Sequence, residues 1–446
     1  MTSNMPATSL RAIEMKTING TAAVGAPASS ARSTVRHQSS IVAPLLVVLG
    51  FAMTIVPYAV VSTEPGVWQF GATLAFVDFV ALVIAVLAAP RLAHRIHHRL
   101  LHPIEWAGLS LLFMLVITFG LHPSMRGVVL VVRFACCLAT SDLIATTTRH
   151  HRMLLLKTLA AASGIQSVIA VSQRITGSAI GLGVFGETSV PFRTGYLVPT
   201  GTMRDAYPLA AFGIFVAAII GIGLSRQWIS GWLPWVGIVS GGILAGLSGS
   251  RTALLTLTAV CVALGISRSR RGFAAALVLG VGFVGCAGLS SPLWLRRTTN
   301  ISTSSGGVAA NDVTNGRSAL TQQAIGLIQL HPIIGVGPGN YSAALRATPE
   351  LARRSPENRI QPVHNMVLMA VSESGLLIVP ALVWVFATIG WMVIRRRRWT
   401  LPLFAAIGPF LMLDLVFWFY PEGLLMIAIA IGFAISQREI ALSTDQ

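Results

Sequence analysis

Two reactive side chains each lie where an apolar, helix-forming run begins. Arg251 follows Ser250, and His364 precedes Asn365; serine and asparagine are both favoured as helix N-caps. An anion is stabilised at the positive end of a helix dipole, and histidine is the side chain best suited to proton transfer near neutral pH. The pattern predicts an anion site at Arg251 and a candidate for proton transfer at His364.

Both residues also have a plainer interpretation. The apolar run 252–266 gives only about 23 Å of helix, which is short of a bilayer, so Arg251 should lie sunken below the membrane surface. Snorkelling of its guanidinium to the lipid headgroups is the alternative. A single histidine outside the membrane is more often ordinary surface. Glu373 follows within the next apolar run, where an acid is costly and usually has a partner or a task.

Arginine is frequent in the segments on the same side as these two residues. A guanidinium binds phosphate through paired donors, which favours a site for an anionic substrate. The alternative is that translocated loops tolerate charge in a chain whose basic residues are nearly all arginine. The arginines concerned are Arg174, Arg193, Arg204, Arg296, Arg297, Arg317, Arg346, Arg353, Arg354 and Arg359.

The composition identifies the elements that must position these residues. Hydrophobic residues make up 54% of the chain and charged residues 11%, with a mean hydropathy of +0.73, whereas soluble domains carry about 25% charged residues. Lipid offers no partners to backbone groups, so apolar runs of about 20 residues must be helical. We predict an all-α integral membrane protein and exclude a soluble enzyme. About twelve transmembrane helices are expected, near 41–61, 67–89, 104–121, 127–145, 155–171, 207–224, 228–247, 252–266, 272–289, 366–390, 400–418 and 423–436.

The remaining basic residues predict the orientation. Under the twelve-span arrangement, the arginine-rich loops around 91–99, 149–157, 268–271 and 395–398 fall on one side, which the positive-inside rule makes the cytoplasm. Both termini are then cytoplasmic and the protein is multi-pass in the cytoplasmic (inner) membrane. The net charge of +17 is spread over short loops. We therefore expect contact with membrane lipids and not with nucleic acid.

This arrangement divides the chain into five parts. A disordered cytoplasmic tail is expected at 1–38, transmembrane helices 1–9 at 39–289, a large periplasmic or extracytoplasmic loop at 290–365, helices 10–12 at 366–436, and a cytoplasmic tail at 437–446. The large loop should carry short amphipathic helices, over Arg317–Gln329 and Tyr341–Arg346. The glycines at 335, 337 and 339 are interpreted as a turn and not as a phosphate loop.

Four charged residues fall within predicted spans: Asp78, Arg133, Asp142 and Asp414. They could mark an ion path, or they could pair between helices, which is the more common outcome. The four cysteines also lie within spans, and the cluster of histidines at 94–102 faces the cytoplasm, so neither a disulfide framework nor a metal site is implied.

In order and spacing, several segments resemble the bacterial O-antigen ligase and O-antigen polymerase superfamily. The first five spans match only in kind, and family members often have Pro-Asn where this chain has Tyr-Pro at 207–208. The segments are Ser-Gly-Ser-Arg-Thr-Ala-Leu-Leu at 248–255, Asn-Gly-Arg at 315–317, His331–Tyr341, His-Asn at 364–365 with Glu373, and Thr200–Pro208; together they cover about residues 190–390.

The resemblance implies a metal-independent inverting glycosyltransferase with no cofactor. Its donor would be a polyprenyl-diphosphate-linked glycan and its acceptor a glycan or lipid-glycan hydroxyl on the outer side of the membrane; envelope-assembly proteins are possible partners. The implied catalytic residues are His364 as base, with Arg251 and Arg317 holding the diphosphate. Substrate-binding roles would fall to Arg204, Arg193, Asn365 and Glu373, the last two orienting His364 or binding sugar.

Three alternatives stay open at this point. A polysaccharide transporter or lipid-linked-sugar flippase would share the spans, but it should place its essential residues in broken helices at mid-membrane. A non-catalytic assembly partner would tolerate substitution of the arginines and the histidine. Within the enzyme interpretation, ligase and polymerase differ only in acceptor, and the motifs do not separate them.

Overall fold

The computed structural model describes residues 41–55, 58–60, 73–187, 198–266, 269–290, 317–353, 360–396, 398–414 and 416–443. Residues Ala43–Gln446 form one compact unit, and the packing below concerns that unit. Nearly every described element is a helix, as predicted. The exception is an antiparallel ribbon of two short strands, β1 (Tyr58–Val60) and β2 (Thr73–Ala75), in which Ala59 pairs with Leu74.

The described helices are numbered in chain order. In chain order they are α1 (Ile41–Ala52), α2 (Phe76–His97), α3 (Pro103–Leu121), α4 (Met125–Thr146), α5 (Arg149–Thr176), α6 (Ala206–Ser225), α7 (Leu233–Ser248), α8 (Arg251–Ile266), α9 (Arg270–Leu289), α10 (Arg317–Leu330), α11 (Tyr341–Ala347), α12 (Pro349–Ala352), α13 (Met366–Ser374), α14 (Val379–Trp391), α15 (Leu401–Leu413), α16 (Val416–Phe419) and α17 (Pro421–Ser443). Short 3-10 turns occur at Gly183–Phe185, Leu376–Ile378 and Arg398–Thr400, and a π-turn at Met392–Arg396 follows α14.

Seven stretches among the described residues are long and apolar enough to cross a membrane, so the chain is an α-helical membrane protein. They are Phe76–His97, Pro103–Leu121, Met125–Thr146, Arg149–Thr176, Ala206–Ser225, Arg270–Leu289 and Leu376–Ile394. Five shorter apolar helices accompany them: Ile41–Ala52, Leu233–Ser248, Arg251–Ile266, Leu401–Leu413 and Pro421–Ser436. Each overlaps a predicted span, but the count of twelve crossings stays a prediction.

Several predicted spans were drawn too long. Helix α1 ends at Ala52 and not near 61, and α2 begins at Phe76 and not near 67. The ribbon of β1 and β2 occupies part of the difference, because its strands pair residues that a hydropathy reading joins to the neighbouring helices. Helix α15 ends at Leu413, since Asp414 adopts an extended conformation that cannot continue a helix.

The predicted span 366–390 is not one continuous helix. It breaks at Gly375, which has a φ of 67° and separates α13 from α14. The chain before α11 fills the break: Leu376 donates its N–H to Pro332 O at 2.8 Å, and Gly337 donates to Glu373 O at 2.7 Å. Since a membrane supplies no partners for backbone groups, these bonds allow the helix to break there.

Helix α6 lies at the centre of the bundle, and 94% of the residues in its apolar stretch are buried. It packs against α7, α8, α9, α15 and α17. Small residues permit the close approach to α7: a Cβ at Gly241 would lie 2.6 Å from Ala217 Cβ, and one at Gly213 would lie 3.0 Å from Leu244 Cβ. Higher numbers in α6 face lower numbers in α7, so the two helices are antiparallel.

Three of the charged residues within the spans form ion pairs between helices. Arg133 binds Asp78 through two parallel bonds, of 2.8 Å from Nε and 2.7 Å from Nη2. Arg95 bonds both Asp142 and Glu105. Pairing between helices is thus the structural outcome for Asp78, Arg133 and Asp142, as the more common alternative predicted.

Candidate functional site

His364 lies directly before α13, and its imidazole faces an acid. Its Nδ1 is 3.8 Å from Oδ1 of Asp414, the residue that ends α15. The histidine side chain is 32% exposed and the aspartate side chain 6%. At this separation the pair becomes a salt bridge when the imidazole is protonated, so the carboxylate stabilises the form that a general base reaches after it accepts a proton.

Asn365 connects the two helices that carry this pair. Its Oδ1 accepts the N–H of Leu368 at 2.9 Å and so caps α13. Its Nδ2 donates to the carbonyl of Met412 at 3.0 Å, in the last turn of α15. The cap that the sequence predicts therefore also fixes the start of α13 against the end of α15, which brings His364 to Asp414.

A second acid lies beside Asp414. Asp205 caps α6 by accepting the N–H of Tyr207 at 3.3 Å, and it accepts the hydroxyl of Tyr420 at 3.4 Å. Burial and the nearby charge of Asp414 raise the pKa of Asp205 to about 6. The start of α6, the end of α15 and the residue before α17 thus meet at one place.

Arg204 precedes this cap and has an unusual backbone conformation. Its φ is 63°, in the left-handed region that non-glycine residues seldom adopt. The half-buried guanidinium interacts electrostatically with Glu422, whose carboxylate is fully buried at the start of α17. The ion pair of Asp78 and Arg133 acts on the same carboxylate.

Arg251 begins α8, which follows α7 after a reversal at Gly249. Ser250 Oγ accepts the N–H of Ala253 at 3.3 Å, as expected of the predicted N-cap. Because α7 is antiparallel to α6, α8 runs parallel to α6, and a Cβ at Gly221 in α6 would lie 2.9 Å from a methyl carbon of Leu264 in α8. Counting back equally along both helices brings half-buried Arg251 to the end of the bundle where α6 begins.

Arg317 begins α10, the helix that packs on α13. Ser372 Oγ donates to Ala324 O at 3.4 Å, and the backbone bond between Leu376 and Pro332 lies further along both segments, so the two helices run parallel. Arg317 and Asn365 are equally far back from that contact. The half-buried arginine therefore lies at the end of α13 that carries His364.

The comparisons with known proteins fit this arrangement. Residues 235–381 match the model of the O-antigen ligase family. This segment carries an O-antigen ligase domain. The resemblance drawn from the motifs is thereby confirmed over these residues, and it indicates transfer of a glycan in the membrane. No curated protein matches the chain significantly.

The O-antigen ligase domain does not hold the whole site. It runs from α7 to α14 and contains Arg251, Arg317 and His364. The segment bearing Arg204 and Asp205 precedes the domain, and Asp414 follows it. Packing of α6 and α15 against the domain brings these flanking residues to the same end.

Glu373, one of the predicted substrate-binding residues, lies away from the histidine. Glu373 is fully buried at the opposite end of α13 from His364, about 13 Å along the helix axis. Its Oε2 accepts the indole N–H of Trp418 at 3.1 Å. This position supports a structural task and not a contact with His364. Arg193 lies outside the described residues, and its role stays a prediction.

The glycine-rich segment 335–339 is a turn wedged between other elements. A Cβ at Gly335, whose φ is 73°, would lie 2.5 Å from the backbone of Glu373. On its other side, Pro338 O accepts the hydroxyl of Ser124 at 2.9 Å, and Asn340 donates to His122 O at 3.2 Å. The segment therefore packs between the end of α13 and the connection from α3 to α4. This supports the interpretation as a turn.

Sequence reasoning missed Asp414 as the acid that faces the histidine, and Asp205 as the acid beside Asp414. Asp414 was noticed only as a charge inside a span, and Asp205 only as part of a motif. The sequence does contain a sign of their importance: Asp205 begins an apolar run and Asp414 interrupts one, and an acid at such a position costs free energy unless it has a partner or a task. Within the described ranges, no group of three or more His, Cys, Asp or Glu residues is arranged to hold a metal.

Proposed function

We propose that the protein is a membrane glycosyltransferase that moves a glycan from a polyprenyl-diphosphate carrier to an acceptor hydroxyl. The observation that carries the proposal is the placement of His364 against Asp414, at the end of the bundle where Arg204, Arg251 and Arg317 also lie. This combination provides a base for the acceptor and cations for a diphosphate leaving group. The O-antigen ligase domain supports the reaction class.

In the proposed reaction the acceptor oxygen attacks the anomeric carbon of the donor sugar. His364 takes the proton of that hydroxyl as the new C–O bond forms, and Asp414 stabilises the resulting imidazolium. The bond between the anomeric carbon and the phosphate oxygen breaks, and its electron pair leaves with the polyprenyl diphosphate. Attack opposite the leaving group inverts the anomeric configuration.

The arginines act on the leaving group. Negative charge grows on the bridging phosphate oxygen as its bond to carbon breaks, and cations placed beforehand at that point lower the barrier. Arg251 and Arg317 hold the diphosphate, with Arg204 and Arg193 assisting. Helices α6, α8, α10 and α13 begin at this end, and the positive ends of their dipoles add to the field. This arrangement uses no metal or cofactor.

We place the proposed reaction on the outer side of the membrane. The positive-inside rule puts the arginine-rich loops in the cytoplasm and the site on the outer side of the cytoplasmic membrane. A donor anchored by its polyprenyl chain would then reach the arginines through the bilayer. Both termini are cytoplasmic under this orientation, and a cysteine-accessibility experiment on tagged termini in intact cells tests it.

A transporter or flippase is the competing class, and the broken helix at Gly375 is the feature that would favour it. The break, however, is filled by the backbone of residues 332–337: a Cβ at Gly375 would overlap Ile333 O. Transport of labelled lipid-linked glycan into sealed vesicles without a glycosidic product would support the transporter.

The deciding experiment is transfer by the purified protein. His364→Ala should lower the rate of glycan transfer by about 100-fold or more, the usual contribution of a general base. His150→Ala is the matched control, because His150 is an exposed histidine at the other end of the bundle, at the start of α5. Normal transfer by His364→Ala would disprove the base assignment.

In a deletion strain, single repeat units indicate a polymerase, and long chains left on the carrier lipid indicate a ligase.

A further inference from the structure

Two glutamines of α5 lie on one face of a membrane helix. Gln166 and Gln173 are 2% exposed each and are separated by two helical turns. A primary amide is costly inside an apolar bundle unless each of its polar atoms finds a partner. The oxygen and nitrogen of both side chains are hydrogen-bonded, and most of these bonds go to one segment, residues 200–202, which precedes Arg204. The others go to Glu187 and to Thr54 O.

Gln173 holds the beginning of that segment. Its Oε1 accepts the N–H groups of Thr200, at 3.2 Å, and of Gly201, at 3.0 Å. Its Nε2 donates to Gly201 O at 3.1 Å and to the carboxylate of Glu187 at 2.6 Å. Glu187 in turn accepts the N–H of Leu182 at 2.5 Å, so the loop after α5 closes on the same amide.

Gln166 holds the next residue through two bonds. Its Oε1 accepts the N–H of Thr202 at 3.0 Å, and its Nε2 donates to Oγ1 of Thr202 at 2.7 Å. Position 201 has no room for a side chain, because a Cβ at Gly201 would overlap Gln166 Oε1. The same threonine hydroxyl donates to Thr54 O, beyond the end of α1.

From Thr202 the constraint passes to Arg204 over a very short stretch. Met203 is fully buried, and its N–H donates to Thr200 O at 3.1 Å. Asp205 then donates to Met203 O at 2.7 Å and caps α6. A non-glycine residue keeps a left-handed backbone only where its surroundings fix it, and Arg204 is fixed between these bonds.

We propose that Gln166 and Gln173 are positioning residues that hold Arg204 at the diphosphate of the donor. The inference rests on the proposed function, since it takes the diphosphate as the ligand of Arg204. Neither glutamine touches substrate. They determine where the chain turns before α6, and so the direction in which the guanidinium leaves the backbone.

A double-mutant cycle on the full-length protein in nanodiscs tests this, with a polyprenyl diphosphate lacking sugar as the probe. Arg204→Ala should weaken binding of the probe about tenfold, as expected on removal of a charge-assisted hydrogen bond. Gln166→Leu should weaken it to a similar extent. Combining the two should give no further loss, because the glutamine acts through the arginine.

Two further variants keep the result interpretable. Ser167→Ala is the matched control: Ser167 is a buried polar residue of α5 that bonds Ser240 O in α7, and its removal should leave probe binding within twofold of the wild type. If Gln166→Leu fails to fold, Thr202→Val removes the hydroxyl that the amide binds and takes its place in the cycle.

The outcomes separate the inference from the proposed function. If Gln166→Leu weakens probe binding equally in the wild-type protein and in the Arg204→Ala variant, the glutamine acts independently of the arginine, which overturns the inference. It is overturned as well if Gln166→Leu or Arg204→Ala binds the probe normally. The proposed function is judged independently, by glycan transfer in His364→Ala.

Discussion

Nδ1 of His364 lies 3.8 Å from Oδ1 of Asp414, although the two residues flank different helices and are fifty positions apart in sequence. The distance is too long for a hydrogen bond with neutral imidazole and suits attraction to imidazolium. The acid thus assists most after the histidine has accepted a proton. Asn365 maintains the distance, since one side chain both caps α13 and bonds the last turn of α15.

The first prediction concerns this acid. Asp414→Asn removes the charge that stabilises the imidazolium and keeps the shape of the side chain, so we expect kcat for glycan transfer to fall by roughly 10- to 100-fold. The measurement is steady-state transfer by purified protein. Because Asp414 does not hold the donor, KM for the donor should change less than about threefold. An unchanged kcat would show that His364 acts without it.

The second prediction concerns Asp205 and pH. Burial raises the pKa of this carboxyl to about 6, against about 4 in the unfolded chain, so its contribution to stability is fully present below about pH 4 and is lost as pH rises to about 6. Asp205→Asn imitates the protonated form and keeps the cap of α6. Above about pH 7 the variant should therefore be more stable than wild type by about 1 kcal/mol, a figure reduced for partial exposure.

Thermal unfolding at several pH values measures this difference. At about pH 3 the variant and the wild type should unfold at nearly the same temperature, since the carboxyl is then protonated in both the folded and the unfolded chain; the difference should develop between about pH 4 and pH 6. An equal difference under acidic and alkaline conditions would contradict the assignment of the titration to Asp205. The acid and the hydroxyl that face it, Asp414 and Tyr420, remain in both proteins.

The third prediction concerns the break between α13 and α14. Gly375→Ala places a Cβ on Ile333 O at a φ of 67°, so we expect a loss of stability of at least about 3 kcal/mol. Gly390→Ala in α14 is the matched control, because nothing lies within 4 Å of its added Cβ. That variant should be neutral, or more stable by up to about 1 kcal/mol. Chemical unfolding in detergent compares the two; similar values would show that the break is not tightly packed.

Sequence reasoning succeeded where a local rule determines the outcome. Asn365 and Ser250 cap helices as their residue types predict, and α10 begins at Arg317. The same holds for the turn at the glycines before Asn340, which is closed by local backbone bonds from Gly335 to His331 O and from Asn340 to Gly337 O. In each case the deciding contacts lie within a few residues, so a pattern contains them.

The features that sequence reasoning missed depend on packing between distant segments. Hydropathy cannot distinguish an unbroken span from α13 and α14, because the partners that satisfy the break come from residues 332–337. It also joined Tyr58–Val60 to a helix, although the strand depends on pairing with Thr73–Ala75. The link between Gln166 and Thr202 requires α5 to lie beside the loop before α6, which no spacing reveals.

The filled break has a consequence for exchanging parts between relatives. Residues 332–337 and 372–377 hydrogen-bond to each other through their backbones, and Gly335 and Gly375 each lie where the other segment leaves no space for a Cβ. A chimera that takes the large loop from one protein and the following helix from another would divide this unit between two parents. Crossover points for such grafts belong before Arg317 and after Ile378, so that the loop and the broken helix are inherited together.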